Sequence, residues 1–325
     1  MVPSFAYVRP TSLREAIDQL STEGAIVHAG GTDLLGCLRD GVFHAQKLVS
    51  LTGLRELKGI EETSDGGLRI GALATLNQVA AHPAVRERYA CLATAAAAAA
   101  SPQLRNQGTV GGNLCQKPRC WYYRGEFPCL RKGGDRCYAV AGDNRYHCIF
   151  GGDSCYIVHP SDTAPALAAL QATVRVSGPG GTRSVPVENL HVSPAQDPRR
   201  ETVLAGGEIL TEILVPPPPQ GLRSAYRKVR ARRAWDFALA GAALAVQLQD
   251  RKVTTARVVL AGAAPVPWRS KGVEEALIGK ELGKEAASAA RDVAARGAEP
   301  LEHNGYKIPL FRALIEEEVL RLAAA

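Results

Sequence analysis

No apolar run in these 325 residues approaches the length of a bilayer-spanning helix, so a helical membrane span is excluded. The G-x-G-x-x-G spacing of a Rossmann fingerprint is missing, and so is a Walker A sequence. No two cysteines form a C-x2-C pair, which weakens zinc-ribbon and ferredoxin readings, since both rest on short spacings. There is no internal repeat. No aromatic-and-basic RNA motif accompanies the net charge of +7, so nucleic acid is not an expected partner. That modest excess suits an acidic partner protein or a phosphate-bearing cofactor equally well. The opening residues lack the basic-then-apolar layout of a secretion signal. The expectation is a chain made and folded in the cytosol, with export as a passenger on a signal-bearing partner as the alternative.

What is present is an ordinary globular composition, 46% hydrophobic and 22% charged, with enough chain for two or three domains. Residues 12–23 have helical periodicity. Residues 25–29 then read as a buried strand running into a glycine turn and a helix start. A short strand follows at 47–51. "GLRIGALATLNQVAAHPAV" reads as a strand, a turn and a helix ended by Pro83. "RERYACLATAAAAAAS" predicts one helix of high propensity, closed by Pro102 and packed through small side chains. "YIVHPSDTAPALAALQATVRVSG" reads as strand, loop, short helix and strand. The prolines at 216–219 cannot continue a sheet and make a natural domain border. Beyond them come strands of one antiparallel sheet, then helices near 271–278, 283–296 and 309–323.

Two turns share a character: "AGGTD" at 29–33 and "GTVGGN" at 108–113. Each joins two glycines to a threonine. Glycine lets backbone approach a ligand closely, and exposed N–H groups then make an anion cradle. Two such cradles suit a diphosphate gripped from both sides. For either turn alone, an ordinary tight turn is the competing account.

Six of the eight cysteines crowd into one stretch, in the pattern Cys115-x4-Cys120-x8-Cys129-x7-Cys137-x10-Cys148-x6-Cys155. In a reducing cytosol, clustered thiols point to metal or redox chemistry more than to disulfides. Four thiolates of a wrapped loop can hold an iron–sulfur cube even at long spacing, and such a cluster would staple a long irregular loop. Arg119, Arg124, Arg131, Lys132 and Arg136 would lend the loop positive charge. Disulfides or scattered free thiols remain the alternatives at this level.

Taken in order, "AGGTDL", "LRNQGTVGGNL", "HPSDTAPAL" and "YRKVRARRAWDFALAGAA" resemble the FAD-binding medium subunits of the molybdenum hydroxylases, along essentially the whole chain. That group includes xanthine dehydrogenases, carbon monoxide dehydrogenases, aldehyde oxidoreductases and 4-hydroxybenzoyl-CoA reductases. The cysteine stretch is similar to an insertion, carrying a 4Fe–4S cluster, in two subgroups: the bacterial aldehyde oxidoreductase (PaoABC-type) subunit and the 4-hydroxybenzoyl-CoA reductase subunit. "RCWYY…PCLRKGGDRC…NRYHCIFGGDSCYIVHPSD" looks closer to the former. The resemblance implies an α+β fold. A PCMH-type FAD-binding domain of two α/β subdomains would cover 1–218, with the insertion at about 115–156. A C-terminal domain of antiparallel sheet packed with helices would cover 219–325.

Carried over by the same resemblance, the cofactor contacts fall on Val27, His28, Ala29, Gly30, Gly31, Thr32, Asp33 and Leu34, and on Thr109, Gly111, Gly112 and Asn113. Asp162 matches an acidic residue near the cofactor's sugar chain and Lys228 a position close to the flavin. Without the resemblance, Asp162 is a helix N-cap and Lys228 a solvated strand residue. His28 and His159 read as packed or hydrogen-bonded histidines. The cluster ligands implied are Cys120, Cys129, Cys137 and Cys155, leaving Cys115 and Cys148 spare. No molybdopterin motif and no paired catalytic acid and base stand out, so no catalytic residue is assigned. The implied role is electron transfer, with FAD and a 4Fe–4S cluster on this chain. A large molybdenum-cofactor subunit and a small 2Fe–2S subunit would be its partners, and a small molecule or protein the acceptor. The alternatives are a reductase of an aromatic acyl-CoA with reversed electron flow, and a zinc-stapled binding module with no redox role.

Overall fold

The computed structural model describes residues 2–324. It opens with β1 (Ala6–Val8), α1 (Leu13–Leu20), β2 (Ala25–His28), α2 (Leu34–Arg39) and β3 (Lys47–Ser50). Ser12 caps α1 by accepting the N–H of Glu15, and Ala16, Ile17 and Leu20 form its buried stripe. That stripe packs on Val49, Leu51, Leu54 and Leu57. The three strands pair parallel in the order β1-β3-β2. β2 is half-buried along its length rather than fully buried.

The second layer begins with β4 (Ile60–Glu62) and β5 (Leu68–Gly71). A helical run follows: α3 (Leu76–Ala81), α4 (Pro83–Arg88), α5 (Ala90–Ala98), α6 (Pro102–Arg105) and α7 (Val110–Leu114). The expectation of one long helix through the alanines is corrected here. The chain breaks at Tyr89, and α5 ends before Ala100, whose φ is +46°. Pro83 ends the preceding helix and also starts the next, whereas Pro102 only starts α6, after α5 has already stopped. Proline suits the first helical position, where no N–H is needed. The cysteine stretch carries one short helix, α8 (Trp121–Arg124). After it come α9 (Thr163–Ala169), β6 (Thr173–Gly178), β7 (Gly181–Pro186) and β8 (Ile209–Val215). The expected strand before the "HPSD" loop does not form. Residues 156–159 run as irregular chain, with backbone bonds to Cys148 and Ala264. The five strands make a sheet ordered β4-β5-β8-β6-β7, antiparallel throughout.

Pro216–Pro219 separate β8 from a last sheet of β9 (Leu222–Val229), β10 (Ala240–Gln249), β11 (Lys252–Ala261) and β12 (Trp268–Arg269), antiparallel and in sequence order. Helices α10 (Lys271–Leu277), α11 (Lys284–Val293) and α12 (Lys307–Ala324) complete the chain. The text "AGAALAV" of β10 is apolar without alternation because both faces are covered. Ala240, Ala242, Leu244 and Val246 face the helices, while Ala243 and Ala245 pack with α5 and α9 residues of the preceding layers.

Candidate functional site

A cleft of about 480 Å³ opens where the parallel sheet meets the five-stranded sheet. Its wall holds the end of β2, both glycine turns, and a third segment, residues 204–210, entering β8. Of the expected cofactor residues, Val27, Ala29, Gly30, Gly31, Thr32, Asp33, Leu34, Thr109, Gly111, Gly112 and Asn113 line it. His28 does not. Its Nδ1 lies 3.3 Å from Ser50 Oγ, its ring stands edge-on to Tyr7, and burial pulls its pKa down, as expected of a packed histidine.

The two turns are not equivalent. In the first, the N–H groups of Gly30, Gly31, Thr32 and Asp33 donate to no backbone carbonyl, so a run of donors is left for a ligand. Gly31 needs its glycine for a φ of +72°. A Cβ on Gly30 would run into the carbonyl oxygen of Gln107, so the two turns touch only because that side chain is missing. In the second turn the N–H groups of residues 110–113 are already used. Val110 donates to Ala74, Gly111 to Ala72, Gly112 to Thr109 Oγ1 and Asn113 to the Thr109 carbonyl. The two turns are therefore unequal: the first leaves its donors open, while the second is closed over residues 110–113. The closed turn supplies shape, since Gly111 sits against Ala72. The third segment escaped the sequence reading. It carries the text "AGGE" at 205–208, the same three letters that open the first turn.

Asp33 does not face the cradle as a free carboxylate. Its Oδ1 accepts from Arg124 Nη2 at 2.7 Å and pairs with Arg119 Nη1 at 2.9 Å, and its Oδ2 accepts from the Lys117 N–H at 2.7 Å. The first glycine turn is thus bolted to the cysteine stretch. Asn113 Oδ1 accepts from both Ser161 and Thr163 hydroxyls at 2.6 Å, fixing the second turn to the "HPSD" loop.

Asp162 and Lys228 meet each other rather than the cleft wall. Lys228 Nζ lies 2.8 Å from Asp162 Oδ2, Tyr226 Oη donates to Asp162 Oδ1 at 2.6 Å, and both charged side chains are buried. Burial, with the Asp162 charge beside it, pushes the Tyr226 phenol up. The capping alternative for Asp162 is not realised. The cap of α9 is the Ser161 hydroxyl, which accepts the Ala164 N–H at 3.0 Å. Lys228 is no solvated strand residue. It also donates to the Ala98 carbonyl, as does Arg230, at the end of α5. His159 is fully packed, its ring 4.0 Å from that of His191.

Cys120, Cys129, Cys137 and Cys155 line one small void of about 10 Å³ together with Arg131, His147 and Ile157. Cys115 lines the large cleft instead, and Cys148 is buried outside the void. No carboxylate lines the void, so its donors are soft. The Cys137 thiol is held below its ordinary range, first by its pairing with Cys155, whose own thiol the same pairing pushes up. His147 Nε2 lies 3.3 Å from Cys120 Sγ. Among the described residues, no three of His, Cys, Asp and Glu close on the position of a single metal ion.

The basic residues expected to lend the loop positive charge act mainly as ties. Arg119 and Arg124 hold Asp33. Arg131, buried, holds Glu201 at 2.8 Å and the carbonyls of Pro198 and Arg200. Lys132 donates to the Gly125 carbonyl, and Arg136 is exposed beside Asp135. Arg119 lines three spaces at once. These are the large cleft, a pocket of about 130 Å³ with Cys120 and Phe237 in its wall, and a smaller one beside Asp162.

Residues 3–218 match the FAD binding domain in molybdopterin dehydrogenase, and residues 224–322 match the CO dehydrogenase flavoprotein C-terminal domain. The chain is an FAD-binding medium subunit of the molybdenum hydroxylase family. It is 37% identical over 312 residues to the aldehyde oxidoreductase FAD-binding subunit PaoB of Escherichia coli K12, covering 94% of each. It is 30% identical over 303 residues to the carbon monoxide dehydrogenase medium chain of Hydrogenophaga pseudoflava, covering 92% of this chain and 89% of that one. Among solved structures it matches a carbon monoxide dehydrogenase from Hydrogenophaga pseudoflava that lacks the Mo-pyranopterin moiety. The TM-score is 0.76 at 28% identity, over 98% of this chain and 96% of that one. These relatives are FAD-binding or medium subunits of oxidoreductase complexes, and this medium subunit is accordingly an oxidoreductase subunit. No helix among the described residues is long and apolar enough to cross a membrane.

Proposed function

We propose that this medium subunit carries FAD and a 4Fe–4S cluster and transfers electrons within a heterotrimeric, molybdenum-dependent aldehyde oxidoreductase. Its partners would be a large molybdenum-cofactor subunit and a small 2Fe–2S subunit, with a small molecule or protein as final acceptor. Residues 1–218 form the FAD-binding domain in this reading and residues 219–325 the C-terminal flavoprotein domain. The identity to PaoB supports the aldehyde assignment. A cytosolic site of folding is part of the proposal, and eight cysteines free of disulfides suit it.

The cofactor is assigned to the large cleft, its diphosphate on the open N–H run at 30–33. FAD bound there would supply exchange between one-electron and two-electron carriers. The chain's own part is to hold and orient it. Gly30 and Gly111 let three backbone segments converge, Asp33 and Asn113 brace the turns, and Lys228, neutralised by Asp162, stands on the C-terminal side.

The observation that carries the cluster is that four cysteines far apart in sequence line one void that no carboxylate enters. A single zinc ion needs its sulfurs drawn in to about 2.3 Å from one point. A cube of iron and sulfide shares its thiolates among four metals and leaves them further apart. The void has room for about one water. Seating the cluster therefore requires the void to open. The test is an assay of the assembled complex with aldehydes, and with a 4-hydroxybenzoyl thioester plus a low-potential donor. Aldehyde-dependent turnover supports the assignment. Turnover of the thioester alone replaces it with the reductase reading.

A further inference from the structure

His147 has no part in the function so far, and its surroundings are unusual. The residue is buried, 4% exposed, and its Nε2 is the ring nitrogen that faces Cys120 Sγ at 3.3 Å. Nδ1 is buried and has no hydrogen-bond partner. The backbone on either side is pinned. The His147 N–H donates to the Asn144 carbonyl at 2.9 Å, and its carbonyl accepts from Nδ2 of the fully buried Asn304, from the C-terminal segment, at 3.2 Å. Trp121 stands edge-on to the ring at 5.9 Å between centroids and Tyr122 lies tilted at 6.0 Å. The imidazole is held against one sulfur of the four-cysteine void, with the Asn144 backbone nearby but not in hydrogen-bond geometry.

A neutral imidazole has one N–H and one lone pair. Of the two tautomers, the one whose N–H has an acceptor in reach is favoured over the one whose N–H has none. With no acceptor in hydrogen-bond geometry at Nδ1, the proton is assigned to Nε2, pointing at Cys120. A metal-bound thiolate can only accept. The contact then becomes a charge-assisted N–H···S hydrogen bond, and such bonds to cluster sulfurs are one of the levers that set reduction potential.

We propose that His147 is a positioning residue for the iron–sulfur site, donating its Nε2–H to the Cys120 thiolate and holding the cluster's potential up. This rests on the cluster reading above. Because the reduced cluster carries more negative charge, the bond strengthens on reduction and favours the reduced form. Asn304 pins the His147 backbone, so the C-terminal domain helps to set the potential of a site built by the other domain.

The experiment uses the full chain, isolated anaerobically, with iron and sulfide counted first. Redox titration of His147→Leu, retaining its iron, is expected to show the reduction equilibrium shifted about tenfold against the reduced cluster. For one electron that is about 59 mV more negative. His147→Gln, which keeps an N–H donor, should recover most of the shift. Wild-type protein labelled with 15N-histidine should show one weakly coupled nitrogen in pulsed EPR of the reduced cluster, and this readout stands even if the leucine variant does not fold. A leucine variant with full iron and an unshifted midpoint, or a wild-type cluster with no coupled nitrogen, overturns the inference alone. A wild type without iron and sulfide overturns the cluster reading and this inference with it.

Discussion

Asp33 Oδ1 accepts a hydrogen bond from Arg124 Nη2 at 2.7 Å, across 91 positions of chain. The residue closes the first glycine turn and the arginine ends the short helix α8 of the cysteine stretch. Flavin cradle and cysteine loop are therefore one mechanical unit, with Arg119 as a second tie to the same oxygen. Asp33→Ala leaves two mostly buried guanidinium groups without their carboxylate. The expected cost is on the order of 3 kcal/mol, since removing one partner strands the others. The denaturation midpoint should fall, and flavin and iron should be lost together. Loss of either one alone would show that the two sites are not coupled through this pair.

Lys228 and Asp162 form the charge pair that joins β9 to the start of α9, both side chains nearly out of solvent. Lys228→Met alone should destabilise by about 3 kcal/mol or more, because it leaves a buried carboxylate held only by Tyr226. Lys228→Met combined with Asp162→Asn should recover a large part of that. A double-mutant cycle in urea reads the coupling directly. A coupling energy near zero would mean that solvent reaches the pair.

Gly30→Ala tests the convergence of the two turns. A methyl there meets the Gln107 carbonyl, so the turns must move apart. An overpacked contact of this kind costs about 1–3 kcal/mol. The variant should lose most of its FAD on gel filtration. As a control, Gly180→Ala, in the β6–β7 turn where a Cβ meets nothing, should keep its flavin and its stability. Full flavin retention in Gly30→Ala would refute the closeness of the turns.

His159 and His191, packed edge to face, set an acid limit. Burial pulls His191 down to about 4, and burial, then the His191 charge, pulls His159 well below the usual 6.5. Both are neutral in the folded chain, while in the unfolded chain each takes a proton below pH 6.5. The unfolded state therefore binds more protons between pH 6.5 and about 4. Stability that is complete above pH 6.5 is lost as the pH falls through that window, by up to about 1.4 kcal/mol per pH unit for each histidine. His191→Gln, which can still donate to the Leu114 carbonyl, should flatten the pH dependence of the urea midpoint over the same range. An unchanged slope would show that the rings titrate normally.

Local pattern made much of this legible. The glycine turn after β2, the periodicity of α1, the proline border and the last antiparallel sheet all depend on neighbours in sequence. What escaped depends on distant partners. Whether the second turn has free N–H groups is decided by the carbonyls of Ala72 and Ala74, which approach from β5. What the arginines of the cysteine stretch tie down is decided by Asp33 and Glu201. The break at Tyr89 is a tertiary effect, since that side chain is buried and bonds the Pro216 carbonyl, overriding the helical propensity around it. The third wall of the cleft did leave a signal, the repeated "AGG" at 205–207.

The most direct test is a count of iron, acid-labile sulfide and flavin on the anaerobically purified chain, with its visible spectrum, in wild type and in Cys129→Ser. The account predicts four iron, four sulfide and one FAD in wild type, and in the variant the loss of the broad iron–sulfur absorbance with the flavin bands retained. A wild-type chain that binds neither group, or a variant that keeps its iron in full, would contradict it.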